Sequence, residues 1–275
     1  MAVSVEELLP RPSVMGVVNV TPDSFSDGGR QLDSGDAVAR VQEMAREGAA
    51  IVDLGGESTR PGSDGVSAHE ELRRLLPVLE GVAGSGVLLS IDTSKAEVAR
   101  RALELGAVMV NDVTALRADA DLAGVVAETG VCLCLMHMLG EPRTMQEDPR
   151  YDDVVSEVAA FLEERLAFAV RAGVPEERIC LDPGIGFGKT TQHNLELIAG
   201  LGTIASLGRP VLVGCSRKRF LARITGDAES LVGSVAAGVA VAVLAYERGA
   251  SIFRVHDVRE HVEALAAAHA FEAAA

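Results

Sequence analysis

Three features are scarce in this sequence: basic charge, cysteine and long apolar runs. Lysine and arginine number 25 against 40 aspartates and glutamates, which gives a formal net charge of −15 over 275 residues. This acidity argues against a general binder of nucleic acid or anionic membranes, whose surface would be basic. It also raises the question of where an anionic ligand would find positive charge.

The four cysteines form no C-x-x-C pair. Cys132 and Cys134 would share one face of a strand, so we expect small buried hydrophobes and neither redox nor metal chemistry. The longest apolar stretch, Val232 to Tyr246, is too short and too rich in Gly and Ala for a membrane span, and it indicates a buried helix. Because no basic segment followed by an apolar core opens the chain, we expect a cytoplasmic protein.

What the sequence does contain is a regular alternation of strand-like and helix-like segments. Short, nearly continuous apolar runs occur at 14–20, 51–55, 87–91, 108–111, 131–135, 178–182, 211–215 and 252–255. Such runs are typical of strands covered on both faces, and the segments between them have helical spacing. Eight βα units in about 250 residues predict an α/β fold with one (β/α)₈ TIM-barrel domain. The domain would span 1–275 with a short N-terminal extension at 1–12; a doubly wound open sheet is the alternative.

Polar residues follow every predicted strand, where the active site of such a barrel lies. Asp92, Asn111, Asp182 and Lys218 offer acceptors, an amide and a cation that suit a flat heterocycle with N–H donors. A second group, with the chemistry of phosphate binding, comprises Asn19, Arg60, Arg254 and His256, flanked by Ser58 and Thr59. Two Gly-, Ser- and Asp-rich segments, 21–30 and 55–65, have the composition of mobile lids.

Structural interpretations compete with these assignments. Asp92 or Asp182 could each be a helix N-cap, and Asp112 and Asp257 fit a cap or a loop better than a site. His137 is expected to be structural, and Arg217 could be a solvated loop charge. The segment PGIGFGKT (183–190) fails both the P-loop and the dinucleotide patterns, so we interpret it as backbone close to a ligand, with Phe187 available to pack on it.

Several motifs together carry a family resemblance. They are GVVNVTPDSFSDGG, VDLGGESTRPG, SIDTSKAEVA, VNDVTA, CLMHMLGEPRTMQEDPRYDDVV, CLDPGIGFGKT, GCSRKRF and FRVHDV. In this order, and covering nearly the whole chain, they resemble the dihydropteroate synthase family. That family has the (β/α)₈ barrel fold, in agreement with the strand count.

The resemblance implies condensation of 6-hydroxymethyl-7,8-dihydropterin diphosphate with 4-aminobenzoate in a homodimer, with Mg²⁺ assisting. The implied pterin contacts are Asp92, Asn111, Met136, Asp182, Gly186 and Lys218. The implied diphosphate contacts are Asn19, Thr59, Arg60, Arg254 and His256, with Asn19 also a ligand of Mg²⁺. The aminobenzoate contacts would be Phe25, Phe187, Lys218 and Arg219. The catalytic set would be Asp27, Asp92, Asp182, Lys218, Arg254 and His256. Positive charge would gather at the barrel mouth through Arg60, Arg217, Lys218, Arg219, Arg254 and His256.

The family mechanism is dissociative: diphosphate leaves first, and Asp27 would help stabilise the resulting pterin-methyl cation. Leu116 departs from the family pattern, in which many members have a small residue, and this departure would alter only a loop. The DPGIGFGKT region has no extra Phe-Gly insertion of the kind associated with sulfonamide-resistant relatives, so sulfonamide sensitivity is expected. Two alternatives are open. One is a pterin-dependent methyltransferase of the same fold, and the other is a non-catalytic pterin-binding paralogue.

Overall fold

Eight parallel strands form a closed barrel in which each strand pairs with its neighbours in sequence and β8 pairs with β1. The computed structural model describes residues 3–21, 34–59, 62–227 and 229–274. The strands are β1 (Ser13–Asn19), β2 (Ile51–Gly55), β3 (Leu89–Asp92), β4 (Met109–Asp112), β5 (Cys132–Met136), β6 (Ile179–Asp182), β7 (Val211–Val213) and β8 (Ala250–Val255). The predicted TIM barrel is confirmed, and the open-sheet alternative is wrong.

Helices connect consecutive strands around the barrel. In chain order they are α1 (Val5–Leu8), α2 (Ser34–Arg46), α3 (Ala68–Val82), α4 (Ala96–Glu104), α5 (Leu122–Thr129), α6 (Val154–Arg171), α7 (Thr191–Ala199), α8 (Leu201–Ala205), α9 (Arg219–Ile224), α10 (Val235–Glu247) and α11 (Val258–Glu272). Several begin at side chains that accept hydrogen bonds from first-turn amides, as Ser67 does for α3 and Asp153 for α6. None of the described helices is long and apolar enough to cross a membrane.

The Gly- and Ala-rich stretch forms a helix that is buried on one face only. α10 starts at Val235 because the Ser234 side chain accepts a hydrogen bond from the Ala237 amide. Ala242 and Tyr246 are buried, whereas Leu244 is 42% exposed. The expectation of a buried helix is therefore wrong for its outer face, because a helix of the barrel's outer ring contacts the strands along one side.

Two apolar layers stabilise the barrel. The larger lies between the strands and the surrounding helices, and the smaller fills the barrel interior near the N-terminal ends of the strands. Val5 and Leu9, from α1 and the residue after it, are fully or almost fully buried in this inner layer. The segment before β1 therefore closes the barrel at the end opposite the strand C-termini.

Candidate active site

Strand geometry places apolar and polar residues at different heights inside the barrel. Side chains alternate along a strand, so a residue two positions after an inward-facing one also faces inward. The inner apolar layer contains Met15, Ile51, Met109, Cys132, Cys134, Cys180, Leu212 and Ile252. All four cysteines are buried free thiols, as predicted for the structural role.

Two residues beyond the apolar layer, the inward-facing side chains become polar. Each polar residue comes two positions after an apolar one on the same strand: Asp53 after Ile51, Asn111 after Met109, Asp182 after Cys180 and Arg254 after Ile252. Asp92 lies beside Asn111 in the register of β3 and β4. The structure therefore brings most of the predicted heterocycle-binding residues together at the C-terminal ends of the strands, where barrel enzymes have their active sites.

Arg254 lies at the centre of this polar layer and bridges two carboxylates. Its Nε donates to Asp53 Oδ2 and its Nη2 to Asp92 Oδ2, each at 2.7 Å. Asn111 Nδ2 donates to the same Asp53 oxygen at 2.9 Å. Burial raises the pKa of Asp92 well above its usual value, although the Arg254 guanidinium opposes that shift. The two carboxylates in turn raise the pKa of Arg254, so the guanidinium stays charged.

Asp53 is a site residue that the sequence reasoning missed. Its carboxylate is fully buried in the middle of β2. The available signal was an acidic residue inside the apolar run IVDLG, since buried carboxylates are rare unless they are paired. Among the described residues, Asp53 Oδ1 and Asn111 Oδ1 are buried without a hydrogen-bond partner. Two unpaired acceptors here favour a ligand that carries N–H donors.

Asp182 and Lys218 form the next part of the mouth. Asp182 ends β6 and its Oδ1 accepts a hydrogen bond from the Gly184 amide at 2.7 Å; burial raises the pKa of this carboxyl to about 6. Lys218 Nζ lies 4.2 Å from the centre of the Phe187 ring. Burial, with Arg254 nearby, lowers the pKa of Lys218 to about 8. A Cβ on Gly186 would lie 3.3 Å from the Lys218 Cδ, so the stem of this lysine runs along the Gly186 backbone.

His256 follows β8 and contacts the loop after β7. The Ser216 hydroxyl lies 3.2 Å from both the amide nitrogen and Nδ1 of His256. Burial and the Arg254 charge lower the pKa of His256 to about 3, so its ring is neutral and can offer a hydrogen bond but no charge. Arg217 makes a bidentate ion pair with Asp257, so the solvated-charge interpretation of Arg217 is wrong.

The second glycine-rich segment is anchored at its base by a lysine between two carboxylates. Lys95 Nζ lies 2.6 Å from both Glu57 Oε2 and Glu71 Oε2, and Glu57 Oε1 accepts the Val66 amide. Thr59, two residues after Glu57, is half-buried. Among the predicted site residues, Arg60 of this segment and Phe25 and Asp27 of the first segment lie outside the described residues.

Asn19 ends β1 next to Gly55. A Cβ on Gly55 would lie 3.2 Å from Asn19 Oδ1 and 3.6 Å from Asp92 Oδ2, so a side chain at position 55 would crowd both groups. Among the described residues, no group of three or more His, Cys, Asp or Glu side chains could hold a metal ion. An amide oxygen is a donor that Mg²⁺ accepts when phosphate and water supply its other ligands. The Asn19 side-chain oxygen is thus a donor of the type that such an ion takes.

The remaining interpretations divide clearly. Neither Asp92 nor Asp182 caps a helix, because Lys95 precedes α4 and Thr190 caps α7. Asp112 is the last residue of β4, and its carboxylate holds the loop that follows by accepting hydrogen bonds from the Thr114 and Leu116 amides, in line with the expected structural role. Met136 is buried at the end of β5, whereas the Arg219 side chain is exposed at the start of α9. Leu116 has φ of 62° and lies in the Asp112 loop.

Comparison with known proteins gives the family of this barrel. The family described as "Pterin binding enzyme" matches residues 15–256, which defines the chain as a pterin-binding barrel enzyme. The dihydropteroate synthase of Escherichia coli K12 is 48% identical over 260 residues, which cover 94% of this chain and 90% of that protein. The chain belongs to the dihydropteroate synthase family, whose members are transferases.

Solved structures of this family have the same fold. Xanthomonas albilineans dihydropteroate synthase with 4-aminobenzoic acid superposes with a TM-score of 0.87 at 48% identity, covering 96% of this chain and 94% of that one. The same organism's enzyme in complex with 7,8-dihydropteroate gives a TM-score of 0.83 at 43% identity, with the same coverage.

Proposed function

We propose that this chain condenses 6-hydroxymethyl-7,8-dihydropterin diphosphate with 4-aminobenzoate to give 7,8-dihydropteroate and diphosphate. The observation that carries the proposal is the buried group of Asp53, Asp92 and Asn111 around Arg254 at the mouth of a dihydropteroate synthase barrel. Relatives support the proposal, because structures of the Xanthomonas albilineans enzyme have been solved with 4-aminobenzoic acid and with 7,8-dihydropteroate.

The pterin would bind in the buried half of the mouth. Asp92, Asn111 and Asp182 supply oxygen acceptors for its amino and ring N–H groups, and Lys218 supplies a donor for its carbonyl or ring nitrogen. Met136 and Gly186 would line this half. Because these side chains come from rigid strand ends, the ring would be held in one orientation.

The diphosphate would lie toward the rim. Arg254 offers the Nη hydrogens that Asp53 and Asp92 do not hold, His256 offers a neutral ring N–H, and Thr59 and Arg60 offer the donors of the second glycine-rich segment. Asn19 would hold the Mg²⁺ that accompanies the diphosphate. A bound Mg²⁺ would lower the barrier to departure by neutralising charge on the leaving oxygens.

The reaction would then be dissociative. The bond between the pterin methylene carbon and the diphosphate oxygen breaks, and its electron pair leaves with diphosphate. The buried carboxylates Asp92 and Asp182, with Asp27 of the first segment, favour the resulting pterin-methyl cation. The aminobenzoate nitrogen attacks the methylene carbon to form the C–N bond and then releases a proton. The aminobenzoate ring would pack against Phe25 and Phe187, with Lys218 and Arg219 near its carboxylate.

One incubation tests this function. The purified chain is mixed with the pterin diphosphate, labelled 4-aminobenzoate and Mg²⁺, and the products are separated by chromatography. We expect labelled 7,8-dihydropteroate together with one diphosphate per turnover, and no product when Mg²⁺ is chelated. Product without diphosphate release would contradict the proposed chemistry, and no product at all would favour a pterin-dependent methyltransferase or a non-catalytic pterin-binding paralogue.

The same assay tests sulfonamide sensitivity. A sulfonamide resembles 4-aminobenzoate in shape and would occupy its place beside Phe187 and Lys218. Sulfamethoxazole is expected to raise the apparent KM for 4-aminobenzoate and leave kcat unchanged. Inhibition that excess 4-aminobenzoate does not relieve would contradict competition for this place.

The resemblance also implies a homodimer in the cytoplasm. The exposed Leu244 side chain of α10 and the exposed Phe271 of α11 lie on neighbouring helices and offer apolar surface to a second copy. Light scattering of the purified chain should give twice the 28.7 kDa mass of one chain. A mass that stays at one chain at micromolar concentration would exclude a stable dimer.

A further inference from the structure

Lys189 is a buried lysine to which the proposed reaction gives no task. It ends the glycine-rich segment PGIGFGK, and only 3% of the residue is exposed. Among the described residues no carboxylate lies within ion-pair distance of it. Its Nζ instead lies 2.9 Å from His137 Nδ1 and 2.9 Å from the Phe187 carbonyl oxygen. Burial lowers the pKa of this amine to about 7, so burial destabilises its ammonium form and the arrangement needs a reason.

On one side, Lys189 contacts His137, which the surrounding structure holds in place. The His137 amide donates to the Asp182 carbonyl oxygen at 2.9 Å, so His137 is fixed beside the end of β6. Its ring makes an edge contact with Phe161 of α6, with ring centres 4.8 Å apart. Burial and the nearby Lys189 lower the pKa of His137 to about 2, so its ring is neutral and Nδ1 can accept a hydrogen bond from the lysine.

The other end of the contact is the backbone of Phe187, whose ring faces Lys218. The carbonyls of three consecutive residues, 186 to 188, all accept hydrogen bonds from side chains. Gln146 donates to Gly186 O at 2.6 Å, Lys189 to Phe187 O, and Tyr151 to Gly188 O at 2.9 Å. Gln146 is exposed and Tyr151 is half-buried, so water competes most for the first of these bonds and least for that of Lys189.

We propose that Lys189 is a positioning residue that fixes the Phe187 backbone, and through it the Phe187 ring, at the place where 4-aminobenzoate binds. The inference rests on the proposed function, which assigns Phe187 to the aminobenzoate pocket. Lys189 would act chiefly on this substrate. Asp182 is tied separately by the Gly184 amide, Gly186 is held by Asn194 and Gln146, and the other pterin contacts lie outside this segment.

The test is steady-state kinetics of Lys189→Met with each substrate varied in turn. Loss of the Phe187 tether should raise the aminobenzoate KM by about threefold to tenfold, the size of one lost buried hydrogen bond. The KM for pterin diphosphate and kcat should change by less than about twofold, because the lost contact stabilises bound aminobenzoate equally in the ground state and in the transition state. Lys189→Gln, which keeps one N–H donor for the carbonyl, should give an intermediate KM.

Tyr151→Phe is the matched control, because it removes one hydrogen bond to the next carbonyl and leaves Lys189 in place. Its aminobenzoate KM should stay within about twofold of the wild type. Equal effects of Tyr151→Phe and Lys189→Met, parallel changes in both substrate KM values, or no change in either would overturn the inference. So would failure of both Lys189 variants to fold, because Lys189 would then be a folding residue.

A calorimetric titration separates this inference from the proposed function. If the wild-type chain makes no dihydropteroate, the proposed function fails and the kinetic test cannot be run. Titration of wild type and Lys189→Met with 4-aminobenzoate, in the presence of diphosphate and a pterin, then decides the inference alone. Weaker binding by the variant supports it, and equal binding or no binding by either protein overturns it.

Discussion

Buried carboxylates facing a half-buried guanidinium dominate the site at the scale of single residues. Arg254 holds Asp53 and Asp92 together, and Asn111 adds a hydrogen bond to Asp53. Charges taken out of water are stable only when paired, and a pair leaves spare lone pairs for a ligand. The group is thus both a structural unit and a set of preorganised acceptors.

Asp92→Asn should lower kcat/KM by on the order of 100-fold, as does loss of one preorganised electrostatic contact in other enzymes. Folding should be little affected, because burial already disfavours the charge of Asp92 and Arg254 keeps its bond to Asp53. Thermal unfolding and the product assay measure the two effects.

Asp112→Asn is the control for this variant, since Asp112 is also buried at the end of the neighbouring strand but bonds only its own loop in the described contacts. It should lose about 1–3 kcal/mol of stability and keep kcat near that of the wild type. Near-normal activity of Asp92→Asn would exclude Asp92 as a pterin contact.

Pterin binding should weaken as the pH falls. Burial raises the pKa of Asp182 to about 6 and also raises that of Asp92, and a protonated carboxyl is a poorer acceptor for pterin N–H groups. The dissociation constant for a pterin, measured by calorimetry, should therefore rise from pH 8 to pH 5, by up to about tenfold per pH unit for each group below its pKa. An affinity that is flat over this range would contradict the prediction.

The same shifts have the opposite effect on stability. The folded state holds these carboxyl protons more tightly than the unfolded chain, in which the pKa of Asp182 would be near 3.8. The contribution of Asp182 to the free energy of unfolding is therefore largest below pH 3.8 and falls as the pH rises to about 6. Asp182→Asn should remove this part of the pH dependence in urea titrations.

At the scale of elements, the loops are held to the barrel by a few partly buried contacts. Lys95, just before α4, joins Glu57 of the second glycine-rich segment to Glu71 of α3. Ser216 and Arg217 join the loop after β7 to the residues after β8. These contacts tie loops that are distant in sequence to one rim.

Lys95→Met should lower the free energy of unfolding by about 3 kcal/mol, because it leaves the fully buried Glu71 and the half-buried Glu57 without their cation. Arg73→Met is the matched control. It removes an ion pair with Glu70 on the outer face of α3, where solvent screens the charges, and should cause no measurable change. Urea unfolding of both variants tests this, and equal destabilisation would contradict the structural role of Lys95.

At the scale of the whole molecule, the barrel separates stability from chemistry at its two ends. The N-terminal ends of the strands are closed by Val5 and Leu9, and the C-terminal ends carry the charged group. The net charge of −15 is compatible with the proposed anionic substrates because Lys218 lies inside the mouth, beside an Arg254 guanidinium that keeps N–H donors beyond those held by Asp53 and Asp92. The mouth carries less positive charge than the sequence predicts, because Arg217 is paired with Asp257 and His256 is neutral.

Leu9→Ala should destabilise the fold by about 3 kcal/mol and leave the KM values of both substrates unchanged, because the cavity forms at the closed end. Val3→Ala, at a side chain 46% exposed, should change neither stability nor kinetics. Urea unfolding and the product assay measure both. A raised KM in Leu9→Ala would show that the two ends of the barrel are coupled.

The sequence by itself determined the barrel, its strand order and the end at which the polar residues gather. Apolar runs such as VCLCL and ICLD become strands because both faces are covered, and a parallel strand ends where its polar residues begin. These are local patterns, so they can be identified in a single sequence. The motifs around Asp92, Asp182 and Arg254 indicate the family in the same way.

Only the tertiary structure decided which side chains meet. Asp53 and Arg254 are 201 residues apart, and no spacing along the chain indicates that they form an ion pair. The partners of Lys95 and Lys189 come from other elements in the same way. Contacts of this kind depend on barrel closure, because the register of eight strands determines which inward-facing residues are neighbours.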